Sequence, residues 1–340
     1  MIVKWIFLLF WIFFSVFYES LAYHPDSLSQ SEDKKNIYIT DLSDLLAFRL
    51  YTITKTNKLE IFNGDDRIIL KPNGSTNLGV GFNYKSLGLG IAFGFPQSQA
   101  SNDKYVKTNR FDFQFSVYSK KIGIDGFFQI YRGYYNSNPG DFLEWDKDYF
   151  PKVEDLRVLS LGISAFYIFK DERFSYKAAF VRNQIQKRSA GSFTLGVFGF
   201  YDESNTDNGF IPEIYPDSIK TDFDLKGFKA TSIGISAGYM HTFVFRFPVF
   251  INFALIPGFG YKRVTLTDLD GQKDTGNQPS GQILGRIALG YEHAIFYAGA
   301  MGSIIVRNIK YKEFDIDLAT EQVRVFIGKR FKIRSRKKIE

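Results

Sequence analysis

From about Leu45 to Ile333 the chain repeats one pattern: a stretch alternating apolar with polar or small residues, then a cluster of turn residues. In Leu87–Phe95, Leu87, Leu89, Ile91, Phe93 and Phe95 fall on one face and Gly88, Gly90, Ala92 and Gly94 on the other. That is the period of two of a β-strand. Phe111, Phe113, Phe115 and Val117 oppose Asp112, Gln114, Ser116 and Tyr118, and Ile233, Ile235, Ala237 and Tyr239 oppose Ser232, Gly234, Ser236 and Gly238. Many of these segments run 10 to 16 residues, whereas strands of soluble domains usually run about five or six. A tilted strand crossing a bilayer needs about 9–11. Lipid offers no water to unpaired backbone groups, so spanning strands must close on themselves. The expected fold is therefore all-β, a transmembrane antiparallel up-and-down β-barrel over residues 45–333, with oily faces outward and polar faces inward.

Tight links at Lys85-Ser86, Lys120-Lys121, Lys170–Glu172, Phe245–Phe247 and Glu292–Ala294 alternate with longer polar links at Pro96–Thr108, Asn136–Asp155, Asp202–Lys226, Thr265–Ser280 and Lys310–Ala319. Short turns on one side and long loops on the other are the habit of outer-membrane barrels. Asn63–Asp66 reads as one more hairpin turn, joining strands near Leu45–Phe62 and Arg67–Tyr84. Thirteen candidate strands result, but termini on the same side demand an even number. The defect lies between Lys170 and Phe245: either Phe174–Arg188 or Ser192–Tyr201 is not a full strand, or Ser218–Asp224 hides another. Twelve strands is the expected count, with fourteen as the alternative.

The first 22 residues read as a signal peptide: Lys4 supplies the positive start, Trp5–Phe17 the apolar run, and Ser20-Leu21-Ala22 the small-residue cleavage site. Residues 23–44 are then a short periplasmic segment, and 334–340 a basic tail. The sequence contains no cysteine, which removes disulfides, thiolate metal sites and a lipoprotein anchor together. Aromatics make up 18% of the 340 residues, with 37 Phe and 20 Tyr, yet mean hydropathy is slightly negative; strands with one greasy and one wet face produce that combination. Aromatics gather at strand ends (Tyr131, Tyr134, Tyr135; Phe198, Phe200, Tyr201; Tyr239, Phe243), as an interfacial girdle would.

Leu78–Phe93, Tyr131-Arg-Gly-Tyr-Tyr135 and Gln186–Phe193 resemble an uncharacterised family of Bacteroidota outer-membrane β-barrel proteins, a domain of unknown function, over about Leu45 to Ile333. The resemblance implies an outer-membrane barrel without an established activity, and no functional residues carry over from it. One departure is visible: many barrels finish on an aromatic residue, but here Phe331 is followed by a basic tail.

Candidate chemistry is sparse. After the leader the histidines are His24, His241 and His293. His24 lies near the new N-terminus, His241 shares parity with lipid-facing Ile235 and Phe243, and His293 sits in a tight turn. No Gly-x-Ser-x-Gly elbow or His-Glu-x-x-His helix occurs. The chain is thus not expected to be an enzyme, a lipid hydrolase using Ser192 and His241 being the residual alternative, and no cofactor or metal is expected. The oxygen-rich run Asp202–Gly209 misses the calcium-loop spacing, with its Gly at position eight instead of six, so a solvated outer loop is expected there. Parity points Asp112, Gln114, Asp125, Gln129, Tyr131, Arg286 and Arg324 into the lumen, as a structural charge network or as a selectivity lining. Small inward residues (Gly88, Gly90, Ala92, Gly94, Gly234, Gly238) leave room for a solute path or an inserted plug. The net charge of +7 concentrates at Lys329-Arg330, Lys332, Arg334 and Arg336–Lys338, read as a solvated tail that can meet anionic headgroups. Outer-membrane lipid and lipopolysaccharide are the expected surroundings, an envelope protein partner remains open, and nucleic acid is not expected. Function divides into a passage for small solutes or lipidic molecules, a structural or partner-binding barrel, and a lipid-modifying enzyme.

Overall fold

The computed structural model describes residues 37–74, 76–85, 87–94, 99–245 and 248–332; the stretch expected to be a leader, His24 and the 334–340 tail lie outside the described residues. In chain order the elements are β1 (Ile39–Asp41), β2 (Leu45–Asn63), β3 (Asp66–Lys71), β4 (Thr76–Tyr84), β5 (Leu87–Gly94), α1 (Gln99–Lys104), β6 (Asn109–Tyr118) and β7 (Ile122–Asn136). A 3-10 turn at Pro139–Asp141 precedes β8 (Lys152–Ile168). Then come α2 (Tyr176–Phe180), β9 (Gln184–Gln186), β10 (Ala190–Asn205), α3 (Asp217–Asp222) and β11 (Gly227–Val244). The chain continues through β12 (Val249–Thr267), β13 (Lys273–Glu292), β14 (Phe296–Tyr311) and β15 (Phe314–Lys332).

Antiparallel ladders join β2, β3, β7, β8 and β10 through β15 into a closed ring, completed where β15 pairs with β2 from Phe314↔Asn63 to Lys332↔Leu45. The fold is an all-β antiparallel closed barrel of ten strands, with β4, β5 and β6 off the ring; the expected twelve or fourteen are not found. Two local facts leave twelve of the thirteen candidates and exclude fourteen, and β5 and β6 lying off the ring brings the count to ten. Phe174–Arg188 is not a wall strand but folds as α2 and β9, and Ser218–Asp224 carries the short helix α3. The stretch Arg67–Tyr84, expected as one strand, breaks at Pro72, whose missing N–H ends the ladder. β3 pairs with the loop-side half of β2 (Leu59↔Leu70) and reaches across to β7 (Leu70↔Asn136), while β4 pairs with the other half of β2 (Ala47↔Asn83). The wall forks there. Asn73 staples the fork, its N–H donating to Thr108 Oγ1 at 2.8 Å and its amide to the Val106 carbonyl at 3.0 Å. Thr108 in turn donates to the carbonyl of Gly133 at 2.8 Å. Gly133 adopts φ +93, and a Cβ there would sit 2.3 Å from the Lys107 carbonyl oxygen, so the bulge in β7 at this point requires glycine.

Below the fork, β5 continues from β4 (Val80↔Ile91) and β6 pairs with β7 (Phe113↔Phe128). Among the described residues no ladder joins β5 to β6. Two links expected as loops are instead continued hairpins: β12 and β13 still pair at Thr265↔Thr275, and β14 and β15 at Lys310↔Asp315.

The alternation changes phase along the strands. In the middle of the wall the outward side chains are large, apolar and exposed, among them Leu50, Phe113, Leu161, Leu195, Ile235, Leu255, Ile287 and Val325. Toward the loop end the apolar residues turn inward instead, as with Leu59, Ile61, Val158, Val264 and Leu318, and Lys58, Glu60 and Lys229 take the outside. Apolar side chains face whichever side lacks water, so the strands extend beyond the oily band.

Both ends of the interior are filled. At the loop end Phe210, Ile211, Tyr215, Phe223 and Leu225 from the β10–β11 link complete a core with Leu59, Ile61, Tyr131 and Ile316. At the turn end α2 enters the barrel, capped by Ser175 Oγ accepting from Ala178 N at 3.0 Å. Phe174 and Tyr176 are buried against Phe166, Met240 and Leu284, each contributing roughly 1.5–3 kcal/mol by burial. β9 pairs with β1, tying residues 39–41 to this inner segment.

Candidate functional site

The inward face is organised into separate charge clusters. Asp112 accepts from Lys55 Nζ (2.6 Å), Gln129 Nε2 (2.8 Å) and the Tyr131 hydroxyl (2.9 Å). Asp125 accepts from Ser116 Oγ (2.7 Å), Arg286 Nη2 (2.8 Å) and the Tyr118 hydroxyl. Six of the seven residues expected in the lumen thus fall in three places: Asp112, Gln129 and Tyr131 in one cluster, Asp125 and Arg286 in a second, and Arg324 apart from both. Gln114, the seventh, lies on β6 beside the cavity described below. Tyr131 is only 1% exposed and belongs as much to the loop-end core as to any lumen.

Two further clusters were not singled out from the sequence. Arg307 donates from Nε and Nη2 to both oxygens of Asp202, each at 3.0 Å, with Ser160 Oγ donating to Asp202 at 2.7 Å. Asp202, expected to open a solvated loop, is therefore inside the barrel on β10. Glu292 receives Arg182 Nη1 at 3.2 Å and a second guanidinium from Arg330. Arg330, expected in a solvated tail, is an inward residue, and it also donates to the Arg182 carbonyl at 3.0 and 2.6 Å. These three residues lock the α2–β9 segment to the wall.

Between the two fillings lies a cavity of about 290 Å³. Its inner lining carries Arg49, Tyr51, Arg286, Gln322 and Arg324, and its floor is Phe180, Val181 and Asn183 of the inserted segment. Residues of β4, β7, β14 and β15 line it as well, and β5 and β6 contribute, among others, Leu89, Phe113 and Phe115, whose outward side chains are 61%, 55% and 42% exposed. Residues of both parities along the wall thus border the space. The place is the unzipped seam between β5 and β6. Arg49 and Tyr51 share parity with Ala47 and oppose Phe48 and Leu50, so the alternation that placed the other lumen residues could have found them.

The small inward residues serve this cavity differently from what was expected. A Cβ at Gly79 would meet the Tyr51 ring at 2.4 Å and one at Gly81 would meet Arg49 Nε at 2.7 Å. Glycine there, and at Gly90, gives room for Arg49 and Tyr51 to lie flat on the wall. At Gly234 the room is taken by Phe198.

The serine and histidine considered for lipid hydrolysis face opposite ways. Ser192 is buried inward and its Oγ accepts from Lys170 N at 2.9 Å. His241 packs outward against Phe243 and Phe253, its Nδ1 3.0 Å from the Tyr239 hydroxyl. Among the described residues no group of three or more His, Asp or Glu side chains is placed to hold a metal ion.

The family described as a domain of unknown function, DUF4421, matches residues 25–331. No curated protein matches in sequence. Among solved structures the chain is similar to the outer-membrane protease OmpT of Escherichia coli at TM-score 0.39 and 7% identity, over 86% of this chain and 98% of that one. Neisserial surface protein A aligns at TM-score 0.25 and 13% identity, over 81% and 96%. The toluene transporter TodX of Pseudomonas putida aligns at TM-score 0.27 and 6% identity, over 85% and 90%. The solved structures of this comparison are outer-membrane β-barrels of several different roles.

Proposed function

The chain belongs to this family of unknown function, and from that premise we propose an outer-membrane barrel that takes an amphiphile sideways from the bilayer into a stoppered chamber. The exposed apolar band around the wall supports membrane residence, because a soluble protein rarely leaves more than a few hundred Å² of contiguous apolar surface in water. The setting is a Bacteroidota-type outer membrane, reached through cleavage after Ala22, with lipid and lipopolysaccharide as neighbours. The observation that carries the reading is the cavity lined by inward Arg49, Arg286 and Arg324 and by outward Leu89, Phe113 and Phe115 together. An axial passage for solutes, the first function expected from the sequence, would need both end fillings to move. A sideways passage needs neither.

Tryptophan quenching tests this. The sequence has Trp5, Trp11 and Trp145, so a chain starting at residue 23 and carrying Trp145→Phe is free of tryptophan. In bilayers of acyl-chain-brominated lipid, Ser116→Trp on the inner face of β6 is expected to be quenched about as strongly as outward Ile235→Trp. Ser164→Trp, inward on β8 behind an unbroken ladder, is expected to be protected. The unsubstituted protein is expected to carry no steady current in planar bilayers. Protection of Ser116→Trp equal to that of Ser164→Trp, or regular conductance steps, would overturn lateral entry.

A further inference from the structure

Among the described charged residues lining the cavity there are three arginines, Arg49, Arg286 and Arg324, and one carboxylate, Asp125. Asp125 is committed to Arg286. The side chains of Arg49 and Arg324 have no ion pair or hydrogen bond among the described residues, and the Nε of each is buried without a partner. Arg49 is only 9% exposed. Both guanidinium groups lie over one ring, that of Tyr51, at 5.7 and 4.8 Å from its centroid. Elsewhere in the same interior the buried arginines are matched: Arg307 by Asp202, and Arg182 and Arg330 by Glu292. An arginine pair left uncompensated beside a cavity is unfavourable in the empty protein, since buried charge is costly without a counter-charge.

We propose that Arg49 and Arg324 bind the anionic head, phosphate or carboxylate, of the amphiphile that enters by the β5–β6 seam; this rests on the lateral-entry reading. Guanidinium groups present forked donors that match such oxyanions two at a time. The tail end of the site has the complementary character: Leu89, Phe113 and Phe115 line the mouth where the cavity meets the oily band. The volume is at the low end for a ligand pocket, which suits a headgroup held inside with its chain trailing into the seam. Gly79, Gly81 and Gly90 complete the site by letting Arg49 and Tyr51 lie against the wall beside the space instead of filling it.

Isothermal titration in nonionic detergent, with dodecyl phosphate, laurate, dodecanol and inorganic phosphate as probes, tests the assignment. Dodecyl phosphate and laurate are expected to bind the unsubstituted protein. The Arg49→Met/Arg324→Met variant is expected to weaken both at least tenfold while leaving dodecanol unchanged, and Arg49→Lys/Arg324→Lys to fall between. The ligand-free Met variant is expected to melt at the same temperature or higher, because removing two uncompensated charges relieves the interior. A lower melting temperature in both double variants would make the arginines structural and overturn the proposal, as would undiminished dodecyl phosphate binding. Inorganic phosphate binding as tightly as dodecyl phosphate would identify a free-anion site and overturn the amphiphile. Arginine-dependent binding in a protein whose Ser116→Trp is protected from brominated lipid would sink lateral entry while leaving the anion site standing.

Discussion

Substituting Glu292 by glutamine tests whether the inserted segment is held by charge. The Glu292 carboxylate and its partners Arg182 and Arg330 are 4%, 0% and 0% exposed in their side chains. Glutamine keeps the shape and one acceptor but leaves two buried guanidiniums without a counter-ion. Removing one partner of such a pair costs about 3–5 kcal/mol, which at about 1.4 kcal/mol per tenfold is two to three and a half powers of ten in an equilibrium. Arg330 retains the carbonyls of Arg182 and His293 as acceptors, whereas the Arg182 side chain retains, among the described residues, only the Ala178 carbonyl, at 3.3 Å. Arg182 also holds φ 72, a left-handed conformation that costs a non-glycine residue about 1 kcal/mol or more. The loss should therefore fall on the inserted segment first. Hydrogen exchange reads it out through amides that close that segment: Leu42 to the Asn183 carbonyl, Val181 to Lys177 and Lys187 to Tyr38. Their protection is expected to drop by a factor of a hundred or more in Glu292→Gln, while the β12–β13 ladder stays protected. Arg182→Met, which leaves Glu292 and Arg330 paired, is expected to expose the same three amides with less effect on global melting. Unchanged protection at Leu42, Val181 and Lys187, or a uniform loss over the whole wall, would refute the reasoning.

Two other perturbations follow from the same interior. Asp202→Ala strands Arg307 inside the barrel and is expected to destabilise the wall by about 3–5 kcal/mol in urea titrations; Asp202→Leu with Arg307→Met is expected to regain most of that, and a single-variant cost under about 1 kcal/mol would show the pair to be unimportant. His293, in the β13–β14 turn, is held below its ordinary value of 6.5 by burial and then by the nearby Arg330 charge. The folded protein therefore resists protonation that the unfolded chain accepts: stability is unaffected above pH 6.5, falls as pH drops through 6.5 toward the lowered folded value, and is constant below it. His293→Asn should flatten that part of the melting-temperature profile, and an unaltered slope would assign it to other groups.

The placement of individual side chains across the wall was largely readable. Asp112, Gln114, Asp125, Arg286 and Arg324 lie on the inward side of their strands, and Phe113 and Ile235 on the outward side, because a strand's period of two ties neighbouring residues to opposite faces. The same rule would have found Arg49 and Tyr51. Strand number was harder. Phe174–Arg188 and Arg67–Tyr84 carry β-like composition, and whether such a segment joins the wall depends on partners far away in the chain. Tyr176 is buried against Phe166, and Phe180 packs half-buried against the cluster of Phe250, as readily as they would along a strand. The oxygen-rich run from Asp202 looked like a surface loop because nothing near it in sequence announces Arg307, which lies 105 positions away.

Local alternation was enough to determine that this chain is built of long two-sided strands and which residues share a face. It does so because side-chain direction follows from each residue's immediate backbone. Tertiary structure alone decided that ten strands close the ring, that α2 and the β10–β11 link fill its ends, and that among the described residues β5 and β6 stay unpaired with each other beside Arg49 and Arg324. Those outcomes are set by competition among distant partners for the same backbone donors, the same interior volume and the same counter-charges, and no window of sequence contains the competitors together.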